Sequence, residues 1–268
     1  MSRYPIAMIP YANMAPYETL GPPEGCHFVH MTPRNSIDAL KAKTVWAAAV
    51  PVGGLARLAQ DVVPVGNFGI GARGEVMSVL FFSRCPFERM AASHTVYLTA
   101  ASASSVRLLY LLMGYRLGFD RLPELAVPGA LADGELVIGD AALGWHHIFE
   151  RGEKVKHYIH MTDLAALWQQ HWQLPFVFAR WVVRLDAPRA VIQSVEAWLA
   201  RFAEREALLI TQSVARVAGR LRLPDDYVLR YLKGIRRCLD NQDQAGQDRF
   251  LSEWQEHSRP ARTCWFKG

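Results

Sequence analysis

Two stretches of this chain constrain its fold more than any others. Glu75-Val-Met-Ser-Val-Leu-Phe-Phe-Ser83 and Leu174-Pro-Phe-Val-Phe-Ala-Arg-Trp-Val-Val-Arg184 are long, β-rich and almost continuously apolar. They lack the polar alternation of a half-exposed strand and read as strands buried on both faces, which calls for helices on either side of a sheet. Shorter extended runs at 6–10, 26–31, 45–50, 62–65, 95–99 and 135–143 alternate with helical segments beginning near Asn35, Leu55 and Val106. That alternation is α/β behaviour. From Pro188 onward the pattern turns helical. Val191, Val195, Trp198, Leu199 and Phe202 make one apolar stripe, and Val228, Tyr231, Leu232, Ile235 and Leu239 make a second, with Asp225-Asp226 as its acidic start and Arg236-Arg237 as its basic end.

The chain has 268 residues, 51% hydrophobic and 21% charged, a balance that excludes intrinsic disorder and supplies a core large enough to need no disulfides. No apolar stretch reaches the ~18–20 residues of a membrane span; the longest candidate, between Arg89 and Arg107, is broken by His94 and several Ser and Thr. The start, Met1-Ser-Arg-Tyr-Pro, leads into an apolar segment too short for a signal peptide. Cys26, Cys85, Cys238 and Cys264 form no CxxC pair and read as free thiols in a reducing cytoplasm. Residues 180–237 carry twelve Lys/Arg against six acids. Because these arginines interleave with apolar helical positions, they read as solvated helix faces rather than a nucleic-acid footprint.

No dinucleotide-binding, P-loop, nucleophile-elbow or HExxH motif is present. The histidines at 146, 147, 157 and 160 lack the companions of a metal shell and read as surface or supporting residues. What remains is a set of small polar groups at strand ends, where α/β proteins place ligands. Asn13 follows the first strand; Ser78 lies inside the long run; Ser102, Ser104 and Ser105 open a helix; Gly139 and Asp140 end another strand. A helix start suits an anion, although capping is the better account of Ser104, Ser105 or Asp140 taken singly, and their joint occurrence at strand ends is what points to a ligand.

Several blocks, in order, resemble the chorismate dehydratase family. These are Tyr11-Ala-Asn13-Met-Ala-Pro16, Gly74-Glu-Val-Met-Ser78-Val-Leu-Phe-Phe-Ser83, Ser102-Ala-Ser-Ser-Val106-Arg-Leu-Leu109, Leu136-Val-Ile-Gly-Asp140-Ala-Ala-Leu143, and Asp163-Leu-Ala-Ala-Leu-Trp168 followed by Leu174-Pro-Phe-Val-Phe-Ala. The resemblance covers nearly the whole chain, and the last block is its most specific part. It implies an α/β fold of the periplasmic-binding-protein type II class, with two lobes joined by crossing strands near 75–83 and 174–184. Residues 1–80 with 182–268 would then form one lobe and 84–178 the other.

The same resemblance implies loss of water from chorismate to give 3-enolpyruvyl-benzoate on the futalosine route to menaquinone, without a cofactor or metal. The substrate's own enolpyruvyl carboxylate would act as base. Asn13 and Ser78 fall at positions where the family places essential polar residues, and Tyr11, Gly53, Gly54, Ser102, Ser104, Ser105, Gly139 and Asp140 would bind substrate. The expected partner is a small carboxylated molecule, with no nucleic acid or membrane, for a cytoplasmic monomer or homodimer. The chain departs from the family in reading Pro10-Tyr11-Ala12-Asn13 for Ser-Tyr-Leu-Asn, Gly53-Gly54 for a Ser-Ser pair, and Ser104 for Thr. Those changes also admit an altered substrate, or a carboxylate-binding protein of the same fold without catalysis.

Overall fold

A computed structural model describes residues 4–258 and 264–266. The chain runs β1 (Tyr4–Met8), α1 (Ala15–Leu20), β2 (Cys26–His30), α2 (Pro33–Lys41), β3 (Ala47–Pro51) and β4 (Val62–Ala72), with a 3-10 segment at Val52–Leu58 where an α-helix is expected near 55–60. It continues through β5 (Val79–Ser83), β6 (Thr95–Tyr97), α3 (Ala103–Leu117), β7 (Glu124–Leu125), β8 (Gly134–Ile138), α4 (Gly139–Glu150), β9 (His160–Asp163) and α5 (Leu164–Trp172). It finishes with β10 (Phe176–Arg184), α6 (Arg189–Leu221), α7 (Asp225–Gly234), β11 (Arg236–Cys238) and α8 (Asn241–His257).

The strands form two sheets, ordered β11-β4-β10-β3-β1-β2 and β7-β6-β8-β5-β9. Apart from the added edge strand β11, the two orders are equivalent. In each, a parallel trio (β2-β1-β3 or β7-β6-β8) is extended by an antiparallel strand, β10 or β5, against which a last strand pairs antiparallel. This is the two-lobed arrangement. Both long apolar runs supply those inserted strands, and burial on both faces follows from their position between neighbours. Each strand lies wholly in one sheet. The passages between sheets are the short segments 73–78 and 173–175, so residues 75–78 are not strand, in contrast to the expected crossing strands over 75–83 and 174–184.

Asp163 explains where the first passage runs. As the N-cap of α5, its Oδ1 accepts from the N–H groups of Ala165 (2.9 Å) and Ala166 (3.1 Å), while Oδ2 accepts from those of Val76 (2.8 Å) and Met77 (2.7 Å). One carboxylate therefore closes a helix start and pins the interlobe segment, holding Met77 in the left-handed region at φ 59°. A non-glycine residue there costs about 1–2 kcal/mol, which the clasp offsets. The second passage is fixed by close packing. A side chain at Gly246 of α8 would meet the Pro175 carbonyl at 2.0 Å, so only glycine lets α8 lie against this segment.

The helical tail differs from its sequence pattern. α7 stops at Gly234, and Arg236–Cys238 pair with β4 as an edge strand, which removes Ile235 and Leu239 from the helical stripe while leaving both buried. Arg236-Arg237 are thus not a basic helix end. Nor are all the arginines of 180–237 solvated. Arg180, Arg184 and Arg237 are buried: Arg184 forks onto Asp186 (2.8 and 2.7 Å) with its guanidinium over Trp46, and Arg180 reaches Gln244 (2.8 Å) and the Gly66 carbonyl (2.8 Å). The long α6 packs on α1 and α7, and Trp198 and Phe202 on its inner face meet Tyr17 and Trp181 in an aromatic cluster under the first sheet. No helix among the described residues is long and apolar enough to cross a membrane.

Replacing Asp163 by Ala strips four backbone donors of their acceptor and should lower the unfolding free energy by about 3 kcal/mol, measured by urea denaturation. Burial, partly opposed by the four backbone donors, pushes the Asp163 carboxyl up to about 6. A raised carboxyl favours folding most when protonated, so its contribution is complete below the unfolded value near ~3.9 and fades as the pH rises through about 6. The stability gap between wild type and Asp163→Ala should accordingly narrow from about pH 4 to about pH 6.

Candidate functional site between the lobes

The chain ends of the parallel strands from both lobes face each other across a small cavity of about 60 Å³. Its apolar walls come from Pro33, Pro51, Ile70, Val79, Ile138 and Phe178, and its polar groups are Tyr11, Asn13, Ser78, Ser102 and Ser105. None of the lining residues is ionised at neutral pH.

Asn13 sits in the turn after β1. Its side-chain Oδ1 is buried without a hydrogen-bond partner, whereas its backbone carbonyl accepts from Nε of Arg237 at 3.1 Å. Arg237 is fully buried, and its Nη1 donates to the carbonyls of Leu232 (3.0 Å) and Ile235 (3.2 Å) and reaches Glu206 at 3.4 Å. Burial pushes its pKa down. This cation anchors the Asn13 turn from behind and adds positive potential to a site with no charge of its own. Ser78, at the end of the first passage, is 3% exposed; its hydroxyl accepts from the Tyr231 phenol at 3.1 Å and donates to the Val76 carbonyl at 3.3 Å. Burial raises the Tyr231 pKa, so this phenol stays a donor.

The serines at the start of α3 divide into two groups. Ser102 caps the helix by accepting from the Ser105 N–H (3.3 Å), and the Ser105 hydroxyl donates to that of Ser102 (3.1 Å); both line the cavity. Ser104 does not. Its hydroxyl accepts from the Gly53 N–H (3.0 Å) and donates to the Phe178 carbonyl (3.1 Å), stitching one lobe to the other. Gly53 therefore has its N–H occupied, and a Cβ there would lie 3.1 Å from the Ser104 backbone. Gly54 faces Ile37, away from the cavity.

Asp140 also joins the lobes instead of lining the cavity. In the first turn of α4, it accepts from the Ala12 N–H (2.8 Å) and pairs with Arg220 of α6 (2.7 Å). Gly139 does line it, at φ +66°, with its N–H donating to the Ser78 carbonyl (2.8 Å) and the Tyr11 ring 3.0 Å from where a Cβ would be. Desolvation and the Asp140 carboxylate both raise the Tyr11 pKa. Of the histidines, His146 is a buried structural group whose Nδ1 meets the Tyr227 phenol at 2.8 Å, across the lobe boundary.

The structure thus brings Tyr11, Asn13, Ser78, Ser102, Ser105 and Gly139 to one cavity and places Gly53, Gly54, Ser104 and Asp140 outside it. Tyr231 and Arg237 are the residues that sequence reasoning missed. Tyr231 has the spacing of a core stripe, and Arg237 sits in a basic cluster, so neither carries a local sign of bracing the cavity wall from behind.

A two-lobed α/β protein with a neutral polar cavity between its lobes has the architecture of periplasmic-binding-protein-like folds. It is similar at TM-score 0.62, with 10% identity over 97% of this chain and 95% of the other, to a Candida albicans gene product described as exhibiting the generic periplasmic binding protein structural fold. It is also similar to the periplasmic aliphatic sulphonate binding protein SsuA of Escherichia coli, at TM-score 0.61 and 16% identity over 97% and 94% of the two chains. Residues 4–256 match the family model described as menaquinone biosynthesis, and the chain belongs to that family. It is 28% identical over 264 residues, 93% of this chain and 94% of the relative, to chorismate dehydratase of Thermus thermophilus.

Gly139→Ala would force an L-residue into the left-handed region against the Tyr11 ring. The expected result is a loss of about 2 kcal/mol in unfolding free energy by chemical denaturation, with Tyr11 displaced in a crystal structure of the variant.

Proposed function

We propose that the chain is a hydro-lyase that removes water from chorismate to give 3-enolpyruvyl-benzoate in menaquinone biosynthesis, without a cofactor. One ring C–H bond and the neighbouring C–O bond of the hydroxyl break; the C–H electron pair becomes the last double bond of an aromatic ring, and proton and hydroxide leave as water. The substrate's enolpyruvyl carboxylate takes the proton, so the protein's part is orientation and electrostatic preorganisation. This accords with a cavity lined by no side-chain base stronger than a hydroxyl or amide.

The observation that carries this reading is the buried, unpartnered Oδ1 of Asn13 on the cavity wall. A buried amide oxygen left unpaired costs about 1–3 kcal/mol, and a ligand hydroxyl would supply the missing donor. Asn13 would hold the departing hydroxyl, with the turn behind it braced by Arg237. Ser78, oriented by Tyr231, would bind one end of the substrate. Ser102 and Ser105 would hold a carboxylate together with the first-turn N–H groups of α3.

The present cavity of about 60 Å³ is smaller than such a substrate, because pockets for small organic ligands run to about 300–1,000 Å³. Entry therefore requires the lobes to part. The Gly53–Ser104 and Ala12–Asp140 bonds and the Asp140–Arg220 ion pair would break while the Asp163 clasp stays closed. The described thiols of Cys26, Cys85 and Cys238 are free, which fits a reducing compartment such as the cytoplasm.

A second reading is favoured by one observation. With glycines at 53 and 54 lying outside the cavity and the Gly53 N–H tied to Ser104, the segment after β3 offers no hydroxyl to a ligand. An altered carboxylate ligand, or binding without turnover, would fit a cavity without those hydroxyls.

Incubation with chorismate followed by mass spectrometry separates the two readings. A product lighter by the mass of one water supports the dehydratase; saturable thermal stabilisation with no change in mass supports binding alone. Asn13→Ala should lower kcat by about 100-fold while changing stability by less than about 0.5 kcal/mol, since its Oδ1 has no partner in the protein. Ser78→Ala should lose activity and also about 1–2 kcal/mol of stability, because the Tyr231 phenol is left buried and unpaired.

A further inference from the structure

We propose that a separate, arginine-lined pocket beside the lobe interface binds a small aromatic carboxylate. It lies between the α2–3-10 region of the first lobe and the start of α3 in the second, with Trp265 and Phe266 also on its wall, and encloses about 360 Å³. Arg34, Arg57 and Arg107 all line it, and no Asp or Glu does among the described residues. Its other walls include Leu98, Val106 and Leu125, a lining suited to a flat apolar body.

Two of these arginines, Arg57 and Arg107, are poorly neutralised. Arg57 has one partner in Asp38, at 3.5 Å, with both side chains more than half exposed, a pairing worth little. Arg107 has no acidic partner among the described residues; its guanidinium stacks over Trp254 with 4.4 Å to the ring centroid. Burial and the charge of Arg57 together push the Arg107 pKa down to about 10. A bound carboxylate would relieve that repulsion, take a charge-assisted hydrogen bond, and sit against the first turn of α3 at Ser102 and Ala103, where the helix favours negative charge. An apolar wall opposite a cationic one selects an anion with a ring over a bare inorganic ion. The pocket shares Ser102 with the cavity described above but none of that cavity's other lining residues, and the proposal does not rest on the dehydratase reading.

Isothermal titration with benzoate, and with benzamide as its neutral counterpart, tests the assignment on the full chain. Benzoate should bind saturably and benzamide at least about tenfold more weakly, since a hydrogen bond to a charged group is worth about a factor of ten or more. Arg107→Gln and Arg57→Gln should each weaken benzoate binding by about tenfold, and Asn13→Ala should leave it unchanged. Arg57 is on the surface, so Arg57→Gln serves even if loss of the Trp254 stack unfolds Arg107→Gln. Benzoate binding that is insensitive to both arginine variants, abolished by Asn13→Ala, or absent at millimolar concentration would overturn the proposal.

Discussion

The Asp163 carboxylate does two jobs at once, and the geometry between the lobes depends on both. It ends β9 and starts α5, and its second oxygen holds the N–H groups of Val76 and Met77 where the chain passes between sheets. Because Ser78 is the next residue, the clasp also sets where that hydroxyl enters the cavity. Four charge-assisted hydrogen bonds from one group keep the passage in a left-handed turn that an unsupported methionine would leave. The lobes can part only about the two passages, and this one is the more tightly tied.

The electrostatic design of the cavity follows from its closure. Its lining residues carry no formal charge, and the buried cation Arg237 approaches through the backbone of Asn13 instead of its side chain. A buried arginine presented to a ligand would bind substrate and transition state alike, which lowers the starting state as much as the barrier. On the proposed reading, hydroxyls, an amide and a helix N-terminus would hold a carboxylate more weakly and more directionally. The contacts that close the lobes are a neutral one at Ser104 and a charged one at Asp140, whose pair with Arg220 spans the interface. Opening thus parts the Asp140–Arg220 ion pair, whose arginine is already about half exposed to water.

Much of the fold is legible in the residue pattern, and the reason is local. Continuous β-branched and aromatic runs, one-face helical stripes and the serine-rich helix start each report their own backbone state within a few residues. The cavity lining is legible in part. Asn13, Ser78, Ser102 and Ser105 stand out as small polar residues near strand ends, and all four line the cavity. Gly53, Gly54, Ser104 and Asp140 carry the same local signal, yet their partners lie 51 residues away for Gly53 and 128 for Asp140. Nothing near them in sequence says whether such a group meets a ligand or another part of the chain.

By itself the sequence determined the α/β class, the two double-sided strands, the helical return and the cluster of neutral polar residues, because these follow from periodicity and side-chain type. Only the tertiary structure decided that Arg236-Arg237 form a sheet edge, that Arg237 is buried behind Asn13, and that Tyr231 orients Ser78. The physical reason is that burial and hydrogen-bond partners are set by segments far apart in the chain. A tyrosine in a helical stripe and an arginine in a basic run look the same on a surface, in a core or behind a site until the lobes are assembled.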